Sequence, residues 1–126
     1  MTRATPSLEA IWRPLVVRWS GAWALPGLAD RVQVEASSRM RVCLGRCRVS
    51  QGHIRIAEFL LAGPADLLEE VLCHEVAHAA VAIKLGTGVR PHGGEWRGLM
   101  RDAGYEPRVR ISDVELARVA PAALGR

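Results

Sequence analysis

The segment between Gly63-Pro64 and Gly86 constrains this chain more than any other. Proline suits a first helical position, Asp66, Glu69 and Glu70 sit near the positive end of the helix dipole, and Lys84 sits near the negative end. With Gly86 as a stop, these predict a helix from residue 64 to about 85. Leu67, Val71, Val81 and Leu85 share one face, and Leu68, Leu72, Ala79 and Ile83 an adjoining one, so the helix is apolar over more than half its circumference. Such a helix belongs in a core, yet His74, Glu75 and His78 stand in its middle with Glu70 one turn earlier. Burying these groups is costly unless something compensates, and a bound dication would.

His74-Glu75-Val76-Ala77-His78 is an HExxH pattern, a signature associated with zinc peptidases. Helical residues four apart project side by side, so two neutral imidazoles can converge on one zinc ion, while Glu75, turned by about 100°, can meet a water on that ion. A hydrolytic zinc site needs a third protein ligand and one open position. His92 and Glu95 are the downstream candidates, and His92 is the economical choice because three of the four histidines then serve one site. Glu95 as the ligand would give a thermolysin-like arrangement. The metzincin pattern is excluded, because Val81 and Lys84 occupy the places of its glycine and third histidine. One zinc per chain is expected. His53, outward on an expected strand, reads as a surface histidine.

Upstream, Leu8, Trp12, Leu15, Trp19 and Trp23 recur every three or four residues and predict a helix with a core-facing tryptophan stripe. Pro14 interrupts the pattern, and because proline in a helix interior costs about 3 kcal/mol, the helix is expected to begin near Pro14 or to kink there. After Pro26-Gly27, residues 31–37 alternate Val32, Val34 and Ala36 with Arg31, Gln33 and Glu35, which predicts a half-buried strand. Residues 40–50 read as a second strand with Gly45 as a bulge or bend. Residues 53–57 read as a third, paired with the second in a hairpin through Gln51-Gly52. Residues 58–62 suggest a helical turn, and residues 94–103, with Trp96, Leu99, Met100 and Ala103 on one face, a further helix. Ser112 as N-cap and Glu115 at the capping-box position predict a last helix over 112–120, ended by Pro121. The expected fold class is α+β, a small, mainly antiparallel sheet packed on the HExxH helix, with the N- and C-terminal helices covering it.

With 126 residues, 49% of them hydrophobic, the chain is expected to form one compact domain over 1–126. Cys43, Cys47 and Cys73 lack the second pair that a four-thiolate zinc site requires, so they are expected to be reduced, small core residues of a cytoplasmic protein. No stretch has the shape of a signal peptide or the length of a membrane span. A net charge of +4 favours a polyanionic partner, but four tryptophans in the core leave little for a base-stacking platform. Arg39, Arg41, Arg46, Arg48 and Arg55 lie in a segment without acidic residues, either a phosphate-contacting surface or a solvated face.

Several stretches together resemble the SprT-like zinc metallopeptidases, the Spartan-related family. They are Met40-Arg41-Val42-Cys43-Leu44-Gly45, His53-Ile54-Arg55-Ile56, Leu67-Leu68-Glu69-Glu70-Val71-Leu72-Cys73 leading into the HExxH pattern, and His92-Gly93-Gly94-Glu95-Trp96. The resemblance covers about residues 12–110, and its most specific part is the HExxH helix followed by a histidine-glycine pair and a nearby aromatic. It implies a zincin-like fold, zinc held by His74, His78 and His92, and Glu75 as catalytic base. Glu70, Glu95 and Tyr105 are further candidates to touch a ligand or steady a developing oxyanion. Tyr105 alone, after Gly104, also reads as simple packing.

The resemblance further implies work on DNA-associated protein, although three cysteines cannot supply the cysteine-rich ribbon that often accompanies the domain. The expected activity is zinc-dependent peptide-bond hydrolysis by a monomer with a protein substrate, with DNA as a further partner and no membrane. Two alternatives stand beside it: a zinc-dependent hydrolase acting on RNA, which would not require Glu75, and a non-catalytic DNA-binding module whose zinc has four protein ligands.

Overall fold

The computed structural model describes residues 7–110. Helix α1 (Leu8–Ala22) is followed by a 3-10 turn (Leu28–Asp30), strands β1 (Gln33–Ser37), β2 (Gly45–Arg48) and β3 (His53–Ala57), a second 3-10 turn (Glu58–Ala62), and helices α2 (Ala65–Leu85) and α3 (Gly94–Asp102). The expected helix over 112–120 lies outside the described residues.

Helix α1 begins earlier than Pro14. The Ser7 hydroxyl accepts from the Ala10 amide at 3.1 Å, an N-cap that starts the helix one turn before the tryptophan stripe. Pro14 then sits inside α1 on its exposed side, where its ring meets solvent and its missing N–H costs one bond to Ala10. The opposite face buries Trp12, Val16 and Trp19, and Trp23 follows at the C-cap. Arg13 braces this end of the molecule by pairing with Glu9 at 2.9 Å and Asp30 at 3.0 Å.

The sheet is mixed rather than mainly antiparallel. Strand β3 is central, pairing in parallel with β1 from Gln33↔His53 to Ser37↔Ala57 and antiparallel with β2 from Gly45↔Ile56 to Arg48↔His53. Residues 38–52 are long enough to carry the chain back for a parallel partner, and the hairpin turn places β2 on the far edge. Strand β2 is also shorter than the expected 40–50. Beyond Gly45 the last ladder bond runs from the Ala57 amide to the Leu44 carbonyl, and β3 then turns into the 3-10 segment, leaving residues 40–43 without a strand to pair with among the described residues. Val42 and Cys43 are consequently exposed, so Cys43 is not the core residue that composition suggests, whereas Cys73 is buried and Cys47 half-buried.

Side chains alternate across the sheet as its pleat requires. Ile54 and Ile56 are fully buried and, with Val34, Ala36 and Cys47, face the helices. Gln33, Glu35, Arg46, Arg48 and Arg55 are exposed on the outer face, and His53 there is half-buried. The core is closed by Leu67, Leu72, Val76 and Ala80 of α2 and by Trp96, Leu99 and Met100 of α3. Each large side chain buried this completely contributes about 1.5–3 kcal/mol. Trp23 also anchors polar groups, since its indole donates to the Leu99 carbonyl at 2.7 Å while its own carbonyl accepts from Lys84 at 2.9 Å.

Candidate metal centre

Helix α2 packs against β2, β3, α1 and α3, so its central turns are fixed on most sides. His74 and His78, four residues apart, project from one face toward the loop ahead of α3. That loop delivers His92 with φ 59°, a left-handed conformation uncommon outside glycine, and Arg97 holds the His92 carbonyl at 3.2 Å. The Nε2 atom of His92 lies 3.0 Å from Nε2 of His74 and 3.0 Å from Nε2 of His78. Trp96 closes the back of the cluster, with its ring stacked on His78 at 5.6 Å between centroids and edge-on to His74 and His92. Its indole N–H donates to the His74 carbonyl at 3.1 Å, which ties α3 to the turn that carries the ligands.

The donor set fits a tetrahedral cation. Zinc–nitrogen bonds of about 2.0–2.1 Å place neighbouring donors about 3.3 Å apart in a tetrahedron, close to the spacing here. Burial lowers His74 to about 4, reinforced by His92, and lowers His78 to about 4, reinforced by His74 and His92. His92 is also lowered, by burial and then by Arg97. All three rings are therefore neutral near pH 7, the form that binds metal. Three lone-pair-bearing nitrogens drawn this close repel one another unless a cation or proton sits between them. Among the described residues, these three histidines form the one cluster of metal-binding donors. Glu95, on the exposed first turn of α3, is not in it.

Glu75 borders the cluster without joining it. Its Oε2 lies 4.0 Å from Nε2 of His74, and among the described residues it is the one ionisable polar side chain that is buried. Burial pushes its carboxyl up to about 7, a shift that a neighbouring dication would oppose.

The SprT-like family model matches residues 17–115. The chain belongs to the SprT-like family. It is also similar to Protein SprT of Vibrio parahaemolyticus serotype O3:K6 (strain RIMD 2210633), 42% identical over 79 residues, which is 63% of this chain and 44% of that protein. The chain thus spans less than half the length of this curated relative.

Further features of this SprT-like chain were not legible in its sequence. Gly45 of β2 faces Glu75 so closely that an added Cβ would lie 2.9 Å from Glu75 Cγ and 2.9 Å from Oε2. The glycine is regularly paired with Ile56, so close approach, not a bulge, accounts for it. Glu70 is engaged by Arg108 through two bonds, Nε to Oε2 at 2.7 Å and Nη2 to Oε1 at 2.8 Å. The Tyr105 phenol has Cys73, Glu69, Arg18 and Glu70 as its electrostatic neighbours, none of them a cluster histidine, and burial pushes it up to about 12. A cavity of about 80 Å³ opens beside His78 between Val49, Val81, Ala82, Val89 and Trp96.

Arg46, Arg48 and Arg55 share the outer face of the sheet, and Arg39 and Arg41 are exposed in the loop before β2. The segment is acid-free in sequence but not in space, because β1 brings Glu35 to 2.7 Å from Arg55 and 3.5 Å from His53. Among the described residues no helix is long and apolar enough to cross a membrane.

Proposed function

We propose that this SprT-like chain is a zinc-dependent metallopeptidase that hydrolyses peptide bonds in DNA-associated protein. The observation that carries the reading is the meeting of three neutral histidines with a buried carboxylate that stands beside them and outside the donor set. His74, His78 and His92 would hold the zinc, leaving one position open. Zinc so held supplies Lewis acidity, bringing the pKa of a water toward 7 and polarising a carbonyl.

Glu75 does the proton work. Its Oε2 takes a proton from the attacking water as the water's oxygen bonds to the scissile carbonyl carbon. Glu75 then returns that proton to the amide nitrogen as the carbon–nitrogen bond breaks. A carboxylate beside the cluster but outside the donor set is free to gain and then lose a proton, which suits both halves of this cycle. Trp96 excludes water behind the histidines and keeps their rings in register.

Two observations weigh against the alternatives. A structural zinc takes four protein ligands, and among the described residues the cluster offers three. A hydrolase acting on RNA would not require a carboxylate bordering the histidines, and Glu75 is one. The exposed Arg46 and Arg48 support a DNA contact through phosphates, with Arg55 partly committed to Glu35.

The test is Glu75→Gln, which preserves size and hydrogen bonding but removes basicity. Zinc should remain near one per chain, with protein hydrolysis abolished in assays with and without DNA. His92→Ala, by contrast, should lose both metal and activity, and Glu95→Ala neither. Wild-type protein that binds zinc yet cleaves no protein substrate under either condition would overturn the peptidase reading.

A further inference from the structure

We propose that Arg46 and Arg55 form a phosphate seat on the outer face of the sheet, and that Glu35 fills it as an internal counter-anion until a DNA backbone displaces the carboxylate. The inference rests on the DNA contact proposed above and says what holds that contact in check.

The strand registers put the charges in one row. Arg46 of β2 lies directly opposite Arg55 of β3, and Arg55 lies opposite Glu35 of β1. Directly opposed residues of an antiparallel pair have Cα atoms about 4.5–5.5 Å apart, and like charges so placed repel. Glu35 relieves Arg55 from one side only, its Oε1 accepting from Nε at 2.7 Å. It is the one acidic residue in the three strands. Arg46 instead rests its Nη2 against the Cys43 sulfur at 3.7 Å. Among the described residues, neither Arg46 nor Arg48 has a carboxylate within ion-pair distance. A salt bridge that served only the stability of the sheet would leave nothing for a second anion to relieve. Here a phosphate set over Arg46 and Arg55 neutralises the opposed pair, and two forked guanidinium groups match its oxygens.

Glu35 is a competitor that can yield. Both side chains of its pair with Arg55 are 52% exposed, and ion pairs so open to water are weak and screened by salt. Arg55 holds the Glu35 carboxyl below the usual carboxylate range, so near pH 7 it is an anion and occupies the guanidinium as a phosphate would. With Nε2 of His53 3.5 Å from its Oε2, the carboxylate can swing off Arg55 without losing every partner.

The test uses the full chain and a fluorescently labelled DNA duplex, with affinity read by anisotropy across a salt series. Glu35→Gln should tighten binding about 1.5–5-fold, the range an exposed ion pair can restrain. It should also steepen the slope of log affinity against log salt by about 0.9. Adding Arg55→Ala to Glu35→Gln should remove that gain, because the gain passes through Arg55. Glu9→Gln makes the same charge change beside Arg13 on α1 and should leave affinity and slope as in wild type. In wild-type protein the NMR signal of the Arg55 Nε–H should shift as duplex is added. Wild-type affinity and slope in Glu35→Gln, a gain that survives Arg55→Ala, or an equal gain in Glu9→Gln would overturn the seat. The two readings fail separately. Arg46→Ala with Arg48→Ala binding DNA as wild type does takes DNA off this face altogether, whereas a loss in that variant with no gain in Glu35→Gln defeats the counter-anion alone.

Discussion

Gly45→Ala tests the close approach of β2 to Glu75. The new Cβ would stand 2.9 Å from Glu75 Cγ and Oε2 and 3.2 Å from Cδ, whereas unstrained carbon contacts lie at about 3.5–4.0 Å. Either β2 or the Glu75 side chain must therefore move by roughly 0.6–1 Å. The strand is held by its ladder to β3, so the carboxylate is the part expected to give way. Overpacking of this kind costs about 1–3 kcal/mol, and replacing glycine within a strand returns about 0.5–1 kcal/mol. Urea unfolding should accordingly show a net loss of about 0.5–2 kcal/mol, and metal analysis should show unchanged zinc, since no ligand is touched. Peptidase kcat/KM, in contrast, should fall about 100-fold, the usual scale for a 1 Å misplacement of a reacting group. Gly98→Ala on α3 is the control: its Cβ meets nothing within 4 Å, so it should gain about 1 kcal/mol of stability at unchanged rate. Wild-type kcat/KM in Gly45→Ala, or a loss of rate accompanied by loss of zinc, would refute the argument.

Thiol labelling of the native protein at pH 8 should modify Cys43 alone. Burial and then Glu75 push Cys47 up to about 12, burial and then Glu70 push Cys73 up as well, and in urea all three should react; two or three fast sites in the native state would contradict the packing. If DNA binds through the outer face of the sheet, Arg46→Ala with Arg48→Ala should weaken it and reduce the slope of log affinity against log salt by about 1.8, measured by fluorescence anisotropy. An unchanged slope would remove those residues from the interface.

The metal-free protein should become more stable from pH 4 to about 6.5. His74 and His78 have folded values near 4 against 6.5 for the free side chain, so across that window the unfolded chain binds more protons at both sites. Glu75 opposes this between 4.5 and about 7, one group against two. A melting temperature that falls over this range would refute the assigned burial.

The parts of the molecule written locally were the legible ones. Helix α2 carries its own start, stop and periodicity, and β3 is bounded by a turn on one side and a helical segment on the other, so both lie where the sequence puts them. What eluded the sequence depends on partners distant along the chain. Residues 40–43 have strand-like composition, but the end of β3 decides whether they have a neighbour. The parallel pairing of β1 with β3 leaves no trace in either strand's alternation, because both sequences bury one face regardless of direction. Pro14 argued for a later helix start until Ser7 proved to be an effective cap and the proline faced solvent. At the site, HExxH and the short distance to His92 pointed to the three histidines that the fold brings together, with Glu95 left open as an alternative. Gly45, Arg108 and the intrusion of Glu35 among the arginines are contacts across 20 or more residues, and no local spacing encodes them.

The left-handed backbone at His92 sets two selective pressures against each other. A residue other than glycine in this conformation costs on the order of 1 kcal/mol, so stability alone would favour glycine or asparagine there, and the metal alone favours histidine. In a lineage where the site fell out of use, this position would be among the first to drift, since each step toward glycine would be rewarded by a firmer fold. The identity of residue 92 is thus a readout of whether the centre is still in service, a more sensitive one than His74 or His78, whose helical backbone is comfortable with or without a ligand to hold.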